Sequence, residues 1–287
     1  MAETIEQALV RAQTLRSGSD SWQLDGELLL AHALEKTREY LHTWPARELE
    51  AEQLLAYQES LHRRQQGEPI AYILGKKEFW DFELAVNSRV LIPRPETELL
   101  VATALELLAG LNAAVGYACA LNIVDLGTGS GAIALALARG NKDWLVTAVD
   151  ISEPALAIAA ANAKSLAVGN IEFRQASWCD GLDAIEYDMI VANPPYVAAG
   201  DSHLQQADLK FEPSIALVAD EDGLTELRKI VSQSKNFLKK DAWLLLEHGF
   251  NQKRDVSRFL QDAGFVNVEC KQDFAGLDRL TSGQWPG

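Results

Sequence analysis

Beyond about residue 121 the sequence alternates between short apolar runs and longer segments whose apolar residues have helical spacing. This alternation predicts a parallel sheet with helices on both faces, in which ligands bind beyond the carboxyl ends of the strands. The predicted strands are residues 121–126, 144–150, 171–175, 187–192, 242–247 and 266–271. The predicted helices lie near residues 131–139, 154–166, 224–238 and 252–262.

The first 75 residues predict helices only. Thr4 and Gln7 fit a capping box, and the residues after them form one apolar helical stripe. Further helices are predicted at about 25–34, just after Thr37 and at about 50–65. Seven basic and 12 acidic residues in this segment argue against a basic nucleic-acid arm. The segment is therefore either a stabilising appendage or a docking platform for a protein partner.

Residues 76–92 predict a linker hairpin. Alternating aromatic and aliphatic residues from Phe79 to Val86 favour two short strands, with Asn87-Ser88 as the turn between them. Pro93-Arg94-Pro95-Glu96-Thr97-Glu98 then leads into a helix predicted at 99–108, with Pro95 near its first turn. These boundaries divide the chain into a helical domain (1–75), a linker (76–92) and an α/β domain (93–287).

Charge and cysteine content exclude several classes of protein. The formal net charge of −15 disfavours non-specific binding to nucleic acid. Cys119, Cys179 and Cys270 lie far apart, which predicts reduced, mostly buried thiols and neither a zinc site nor a disulfide framework. The sequence indicates no metal site. The first residues lack the features of a signal peptide, and no apolar run is long enough to span a membrane, so we expect a cytoplasmic protein.

A glycine-rich loop follows the first strand of the α/β domain. It reads Asp125-Leu126-Gly127-Thr128-Gly129-Ser130-Gly131-Ala132 and leads directly into a helix. Glycines let a ligand approach the backbone closely, and the helix N-terminus offers free N–H groups. The loop also satisfies the dinucleotide fingerprint, with Ala132 in the last place, so by itself it does not identify the cofactor.

Two carboxylates next to this loop narrow the choice of cofactor. Asp150 ends the second strand, where a carboxylate can accept hydrogen bonds from both hydroxyls of a ribose. Asp125 precedes the glycine turn and is expected near the central part of the ligand. A carboxylate there repels a pyrophosphate and attracts a cation, which favours S-adenosylmethionine with its sulfonium and ammonium groups.

The fourth strand is followed by Asn193-Pro194-Pro195-Tyr196. Neither proline has an N–H group, so the turn is stiff and rich in acceptors. The Asn193 side-chain oxygen and the Pro194 carbonyl are placed to accept both hydrogens of a substrate amino group, and Tyr196 to pack on its flat face. This predicts methyl transfer to an amide or aromatic amine nitrogen, because these acceptor bonds strengthen as positive charge reaches the nitrogen. No general base is required.

Taken together, these motifs resemble the release-factor glutamine N5-methyltransferase family, the PrmC or HemK type, over nearly the whole chain. The resemblance rests on the glycine loop, on Asn193 to Tyr196, and on four further segments: Gly67-Glu68-Pro69-Ile70-Ala71-Tyr72, Glu78-Phe79-Trp80, residues 91–98 and Glu247-His248-Gly249. It implies a class I methyltransferase fold, a Rossmann-like seven-stranded sheet with its last strand antiparallel. It also implies an N-terminal helical domain that engages a peptide chain release factor. The implied substrate is the glutamine of the release factor's Gly-Gly-Gln motif.

The resemblance also assigns residues to the two ligands. The resemblance assigns cofactor binding to the glycine loop, Asp150, Trp178 and Asn193. It assigns the glutamine pocket to Asn193, Pro194, Pro195 and Tyr196. As a ligand contact Trp178 would stack on adenine or shield it from water; otherwise it is an apolar anchor. Arg94, Glu96 and Thr97 stay undetermined between helix capping and the pocket, and His248 has no obligatory role.

Other functions explain the same residues less well. A DNA or RNA adenine-N6 methyltransferase shares Asn193 to Tyr196, but it must hold phosphates, for which the acidic bundle is poorly suited. A nicotinamide dehydrogenase explains Asp150 and the glycine loop but gives Asn193 no role. A non-catalytic binding module is the third possibility, favoured only if no cofactor binds. We expect a monomer without direct contact to nucleic acid or membrane.

Overall fold

The computed structural model describes residues 3–115, 120–182, 186–201, 208–220 and 222–287. Contacts divide the chain into two compact units, Met1–Lys76 with Gln205–Phe211, and Lys77–Leu204 with Glu212–Gly287. In the described part of the chain, no helix is long and apolar enough to cross a bilayer, and no cluster of side chains is suited to hold a metal ion.

The first unit is helical. Thr4 caps α1, since its hydroxyl accepts the Gln7 N–H while the Gln7 side chain accepts the Thr4 N–H, so the predicted capping box is confirmed. The interior is built around Leu29, Leu30 and Tyr57. The elements are α1 (Ile5–Arg11), a 3-10 turn (Ala12–Leu15), α2 (Trp22–Ala33), α3 (Arg38–Thr43), α4 (Ala51–Gln65) and α5 (Ile70–Leu74).

One close approach explains a glycine in this bundle. A Cβ atom on Gly26 of α2 would lie 2.3 Å from the Cβ of Ala12, so the 3-10 turn packs directly on the α2 backbone. In the same unit the nearly buried Arg64 side chain pairs with Asp25 at 2.9 Å and with Asp208 at 2.8 Å. A buried carboxylate is tolerated when it is paired in this way.

The linker hairpin forms with a different turn from the predicted one. Strands β1 (Lys76–Phe79) and β2 (Phe82–Ala85) reverse at Trp80, whose φ is 57° and whose N–H donates to Glu98 at 3.0 Å. Asn87-Ser88 was wrong as the hairpin turn. Asn87 instead caps a separate turn after β2, because its side chain accepts the Arg89 N–H and its carbonyl accepts the Val90 N–H.

The second unit contains a seven-stranded sheet in the order β5-β4-β3-β6-β7-β9-β8, in which β9 alone is antiparallel to its neighbours. The predicted class I architecture is confirmed. Its strands are β3 (Asn122–Leu126), β4 (Leu145–Asp150), β5 (Ile171–Gln175), β6 (Tyr187–Ala192), β7 (Leu238–Glu247), β8 (Val266–Gln272) and β9 (Asp278–Gln284).

The helices of this unit cover the sheet. They are α6 (Thr97–Val115), α7 (Ala132–Gly140), α8 (Glu153–Ser165), α9 (Ser214–Leu217), α10 (Thr225–Ser234) and α11 (Lys253–Ala263). The 3-10 turn at Leu209–Phe211 belongs to the first unit. The predicted helix over 224–238 was too long. It ends at Ser234, and the apolar Leu238 that continues its pattern begins β7 instead.

The chain order of the strands reverses at β3. From β3 the chain runs outward through β4 to β5 and then returns to the other side of β3 as β6. Such a reversal opens a crevice at the carboxyl ends of the strands, where ligands bind in sheets of this type. The ends of β3, β4 and β6 carry the glycine loop, Asp150 and Asn193, so the fold brings the three motifs together.

The cysteines described by the structure are free thiols. Cys179 is buried and Cys270 is half-buried, and Cys119 lies outside the described residues. Burial raises the pKa of the Cys179 thiol to about 12, so it is an inert packing group.

Candidate active site

A cavity of about 270 Å³ opens at the carboxyl ends of the parallel strands. Six of the predicted site residues line it: Gly127, Gly129, Asp150, Trp178, Asn193 and Pro195. Six others do not form its wall: Asp125, Thr128, Ser130, Gly131, Pro194 and Tyr196. The first group is placed to touch a ligand directly. Of the second group, Asp125, Thr128, Ser130 and Gly131 belong to the glycine loop, and Pro194 and Tyr196 belong to the loop after β6.

The glycine loop needs glycine for two reasons. Gly127, Gly129 and Gly131 all have positive φ, at 77°, 57° and 87°. A Cβ on Gly127 would lie 3.1 Å from the Trp178 ring, whereas a Cβ on Gly129 would meet nothing within 4 Å. Because Gly129 lines the cavity, that open space is space for a ligand.

Asp150 closes the cavity at the end of β4. Its two carboxylate oxygens accept the N–H groups of Gly129 and Ser152, each at 2.9 Å. Burial raises the pKa of this carboxyl, and the backbone N–H groups oppose that shift. An ionised carboxylate has about four lone-pair sites, so Asp150 can still accept bonds from two ligand hydroxyls.

Asp125 lies deeper than the sequence predicted. The side chain is fully buried, and its Oδ2 accepts the Thr128 hydroxyl at 2.7 Å and the Ala134 N–H at 3.2 Å. Its Oδ1 has no partner among the described residues. Burial raises the pKa of Asp125 to about 7. Asp125 therefore holds the glycine loop from below, and one oxygen of its buried carboxyl has no partner among the described residues.

Asn162 is a supporting residue that sequence reasoning missed. From α8 its amide donates to the Ser130 carbonyl at 2.9 Å and to the Ala85 carbonyl at 3.1 Å, while its oxygen accepts the Ala85 N–H at 2.8 Å. It thereby connects the glycine loop to the linker hairpin. A single asparagine within an alanine-rich helix was the available signal.

Trp178 forms one wall of the cavity. The residue has a positive φ of 53°, and its indole N–H donates to Glu226 of α10. Glu226 and Lys229 line the cavity beside it, and neither was predicted. A positive φ is uncommon for tryptophan, so the ring position is enforced by its surroundings. The flat ring and the polar pair beside it suit a purine base.

Asn193 is oriented by Thr97. Its Nδ2 donates to the Thr97 hydroxyl at 3.1 Å, which leaves the Oδ1 end of the amide for a ligand. Thr97, whose role the sequence left open, is 4% exposed at the start of α6. The Asn193 oxygen therefore has the orientation needed to accept a substrate N–H.

Tyr196 is fixed from both ends. Its hydroxyl donates to Glu247 at 3.4 Å, and its carbonyl accepts a hydrogen bond from Gln252 at 3.0 Å. Gly223 approaches so closely that a Cβ there would lie 2.5 Å from the same carbonyl. Burial raises the pKa of Tyr196, so the phenol stays protonated. The loop after β6 is thus held rigidly at the site.

Two family models match two separate parts of the chain. Residues 7–75 match the family model described as the PrmC N-terminal domain, and residues 101–219 match the methyltransferase small domain. The release factor glutamine methyltransferase of Shewanella oneidensis is 43% identical over 100% of this chain and 96% of its own length. That of Pseudomonas aeruginosa is 48% identical over 93% and 94%. The chain belongs to the release factor glutamine methyltransferase family.

Solved structures agree on the fold of this family member. A methyltransferase from Pyrococcus furiosus superimposes with a TM-score of 0.51 at 15% identity, covering 71% of this chain and 88% of that one. The catalytic domain of hMettl16, in complex with a 3′UTR hairpin, gives a TM-score of 0.56 at 15% identity, covering 82% and 81%. Both share the class I methyltransferase fold. Family membership does not favour adenine-N6 methyl transfer, the main alternative raised by the sequence.

Two residues in motifs shared with the family are structural. Arg94 pairs at 2.5 Å with Glu212, a buried carboxylate that also accepts the Ile92 N–H at 3.1 Å. This anchors the segment after the hairpin next to Pro213 on the cavity wall. His248 is buried, where it hydrogen-bonds Gly249 and Thr281, and burial lowers its pKa. A neutral, fully engaged His248 has no place in proton transfer.

Proposed function

We propose that this protein transfers a methyl group from S-adenosylmethionine to the side-chain amide nitrogen, N5, of the glutamine in the Gly-Gly-Gln motif of peptide chain release factors. The observation that carries the proposal is the orientation of Asn193. Its amide nitrogen is bound to Thr97, so its oxygen is available at the cavity to receive a substrate amide N–H. Full-length similarity to release factor glutamine methyltransferases supports the choice of acceptor.

The cavity residues fit S-adenosylmethionine. We assign the ribose hydroxyls to Asp150, the adenine to the wall formed by Trp178, and the amino acid end to the backbone of Gly127 and Gly129. The unpaired oxygen of Asp125 matches a ligand with positive charge. Thr128, Ser130 and Gly131 complete the loop that holds this ligand. When bound, S-adenosylmethionine supplies an electrophilic methyl group on a sulfonium.

The acceptor end of the site holds the glutamine. The amide nitrogen is a poor nucleophile because its lone pair is delocalised, so positioning has to supply much of the acceleration. Asn193 and the Pro194 carbonyl accept its two hydrogens, and Pro195 and Tyr196 confine its plane. As nitrogen takes up positive charge these hydrogen bonds strengthen, which stabilises the transition state selectively. The methylated nitrogen then loses one proton to solvent.

Mapping the modification tests the acceptor. After incubation with S-adenosylmethionine, tryptic fragments of release factor are analysed by mass spectrometry. We expect one added methyl group, located by fragmentation on the glutamine of Gly-Gly-Gln. A methyl group on any other side chain would contradict the proposal.

Asp150→Asn should weaken the binding of S-adenosylmethionine and leave the fold intact. The amide keeps one acceptor for the backbone but loses a charged acceptor for the ribose, so we expect the S-adenosylmethionine Kd to rise about 10- to 100-fold. Asp188→Asn is the matched control, since this carboxylate, near the start of β6, binds the Asn122 N–H and Lys239. Isothermal titration calorimetry measures the S-adenosylmethionine Kd of both variants. An unchanged Kd for Asp150→Asn would show that this carboxylate only caps its turn.

We further propose that the N-terminal helical domain docks the release factor. The match of residues 7–75 to the PrmC N-terminal domain supports a dedicated module. Deleting residues 1–75 should leave the Kd for S-adenosylmethionine within about threefold, because all the described residues that line the cavity lie beyond residue 88. Methylation of folded release factor should be lost. If the shortened chain methylated release factor at the normal rate, the domain would be only a stabilising appendage.

The acidic net charge of the chain bears on its other partners. With 41 acidic and 26 basic residues, we propose that the enzyme contacts neither nucleic acid nor membrane directly. We also propose that it acts as a monomer. We place its reaction in the cytoplasm, where release factors work in translation termination.

A further inference from the structure

The loop after β5 carries a tryptophan at a position where the backbone favours glycine. The Asp180 N–H donates to the Ser177 carbonyl at 3.0 Å, so residues 177–180 form a tight turn with Trp178 in its second position. Trp178 has a φ of 53°. Turns with a positive φ at this position usually have glycine there, because a side chain makes the backbone strained. Strain of this kind concentrates at ligand sites, and Trp178 lines the cavity.

The Trp178 ring is held at two opposite ends. Its six-membered ring lies so close to the glycine loop that a Cβ on Gly127 would be 3.1 Å from Cζ3 and 3.5 Å from Cη2. At the other end, the indole N–H donates to a carboxylate oxygen of Glu226 on α10. Contacts at both ends of the indole fix where the ring lies in the cavity wall. Glu226 therefore holds the end that the glycine loop does not reach.

Glu226 belongs to a row of polar side chains on one face of α10. Glu226, Lys229 and Gln233 follow each other at intervals of three and four residues, so they lie on the same side of the helix. Lys229 Nζ donates to the Ser177 hydroxyl at 3.2 Å. The Gln233 side chain accepts the Cys179 N–H at 3.3 Å. Three consecutive residues of the strained turn are thus bound by α10, and Glu226 is the member of the row that holds the ring.

We propose that Glu226 is a positioning residue for the cofactor, which accepts the Trp178 N–H and so holds the ring against which the adenine of S-adenosylmethionine packs. This inference rests on the proposed function, which assigns the adenine to this wall. A ring that is already in place loses little freedom when the cofactor binds, so the hydrogen bond contributes to cofactor affinity. Glu226 takes no part in methyl transfer itself. Its loss should therefore raise the KM for S-adenosylmethionine and leave kcat unchanged at saturating cofactor.

A direct contact between Glu226 and the cofactor would also affect affinity, because Glu226 itself lines the cavity. The two roles have different requirements. Holding the ring needs only an acceptor at residue 226 and an indole N–H at residue 178. A direct contact needs the carboxylate and is independent of the indole. Removing the acceptor and the N–H separately and together therefore distinguishes the two roles.

Three single variants of the full chain test the proposal by isothermal titration calorimetry with S-adenosylmethionine and by steady-state kinetics with release factor. Glu226→Ala removes the acceptor, and we expect the Kd and KM for S-adenosylmethionine to rise about tenfold while kcat and the KM for release factor stay within about twofold. Glu226→Gln keeps an acceptor oxygen, so its Kd should stay within about threefold of the wild-type value. Trp178→Phe removes the N–H and part of the ring, and its Kd should rise at least about tenfold.

The double variant separates holding the ring from touching the cofactor. If Glu226 acts only through the Trp178 N–H, adding Glu226→Ala to Trp178→Phe should change the Kd by less than about twofold, because the hydrogen bond is already absent. Glu106→Ala is the matched control. This helical carboxylate pairs with Lys271 at 3.1 Å and is not among the described residues that line the cavity. The control should leave the Kd and both KM values unchanged.

Two results would overturn the proposal: a wild-type Kd in Glu226→Ala, or an equal loss of affinity when Glu226→Ala is added to Trp178→Phe. The second result would mean that the carboxylate binds the cofactor directly. Should Glu226→Ala not fold, the proposal stands or fails on Trp178→Phe, which removes the same hydrogen bond from the other side.

Failure of the proposed function would give a different pattern. If the wild-type enzyme bound S-adenosylmethionine and the variants shifted the Kd as expected, but no methyl group reached release factor, the role of Glu226 would be supported and the proposed acceptor contradicted. A wild-type Kd in Trp178→Ala would contradict the assignment of the adenine to Trp178, and with it the role of Glu226.

Discussion

Asn193→Ala is expected to lower kcat for release factor methylation by at least about 100-fold, while the S-adenosylmethionine Kd stays within about tenfold. In the proposed mechanism the alanine removes the oxygen that accepts the substrate N–H, and it leaves the glycine loop and Asp150 in place. Because this acceptor bond strengthens in the transition state, its loss should appear in kcat more than in KM.

Steady-state kinetics and isothermal titration together measure this division of roles. Asn170→Ala is a suitable control, because this asparagine binds three carbonyls around the Ala138 to Trp144 turn and does not line the cavity. A large loss of cofactor affinity in a normally folded Asn193→Ala enzyme would mean that Asn193 serves mainly the cofactor. Normal turnover would remove it from the mechanism.

Gly129→Val is expected to raise the S-adenosylmethionine Kd by more than about 100-fold, roughly 2.7 kcal/mol. A Cβ at Gly129 meets nothing within 4 Å and Gly129 lines the cavity, so a valine side chain there would occupy volume that we assign to the cofactor. The positive φ of 57° adds backbone strain of about 1–2 kcal/mol.

A matched variant separates the lost volume from the strain. Gly276 has a φ of 76°, and a Cβ there also meets nothing within 4 Å, but it belongs to the turn between β8 and β9, away from the cavity wall. We expect Gly276→Val to lower the melting temperature about as much as Gly129→Val while binding cofactor normally. Equal cofactor affinity in both variants would show that the glycine loop does not contact the cofactor.

The sequence predicted the parts of the structure that depend on local pattern. Buried parallel strands have a largely apolar pattern, so β6 was predicted to the residue. The bounds of β5 were also predicted to the residue, although this edge strand alternates apolar and polar residues and none of them is buried. Because carboxyl ends of parallel strands meet at one edge, the sequence also predicted that the glycine loop, Asp150 and Asn193 lie together. The position of each motif, directly after a predicted parallel strand, was enough to predict this.

Features that depend on tertiary contacts were not predictable in the same way. The residues of β9 include Thr281-Ser282-Gly283, a sequence with little strand character of its own. Gly283 fits there because Phe265 and Leu260 pack against its backbone, with Phe265 3.2 Å from where a Cβ would lie. Tertiary packing, and not local propensity, therefore makes these residues form a strand.

The roles of the supporting residues were left open or missed for a similar reason. Thr97 and Glu247 lie 96 and 54 positions from Asn193 in the sequence, so no spacing rule connects them. Asp125 was predicted near the ligand, but nothing in its motif shows that its carboxyl points into the protein interior toward Thr128. Sequence motifs locate the groups that touch ligands, and the structure is needed to find what orients those groups.

Radiolabelled methyl transfer from S-adenosylmethionine to purified release factor tests the central claim most directly. Parallel reactions contain a release factor whose Gly-Gly-Gln glutamine is replaced, and duplex or single-stranded DNA. We expect label on the intact release factor and none on the variant or on DNA. Label on DNA alone, or equal label on the variant, would contradict the assignment of glutamine as the methyl acceptor.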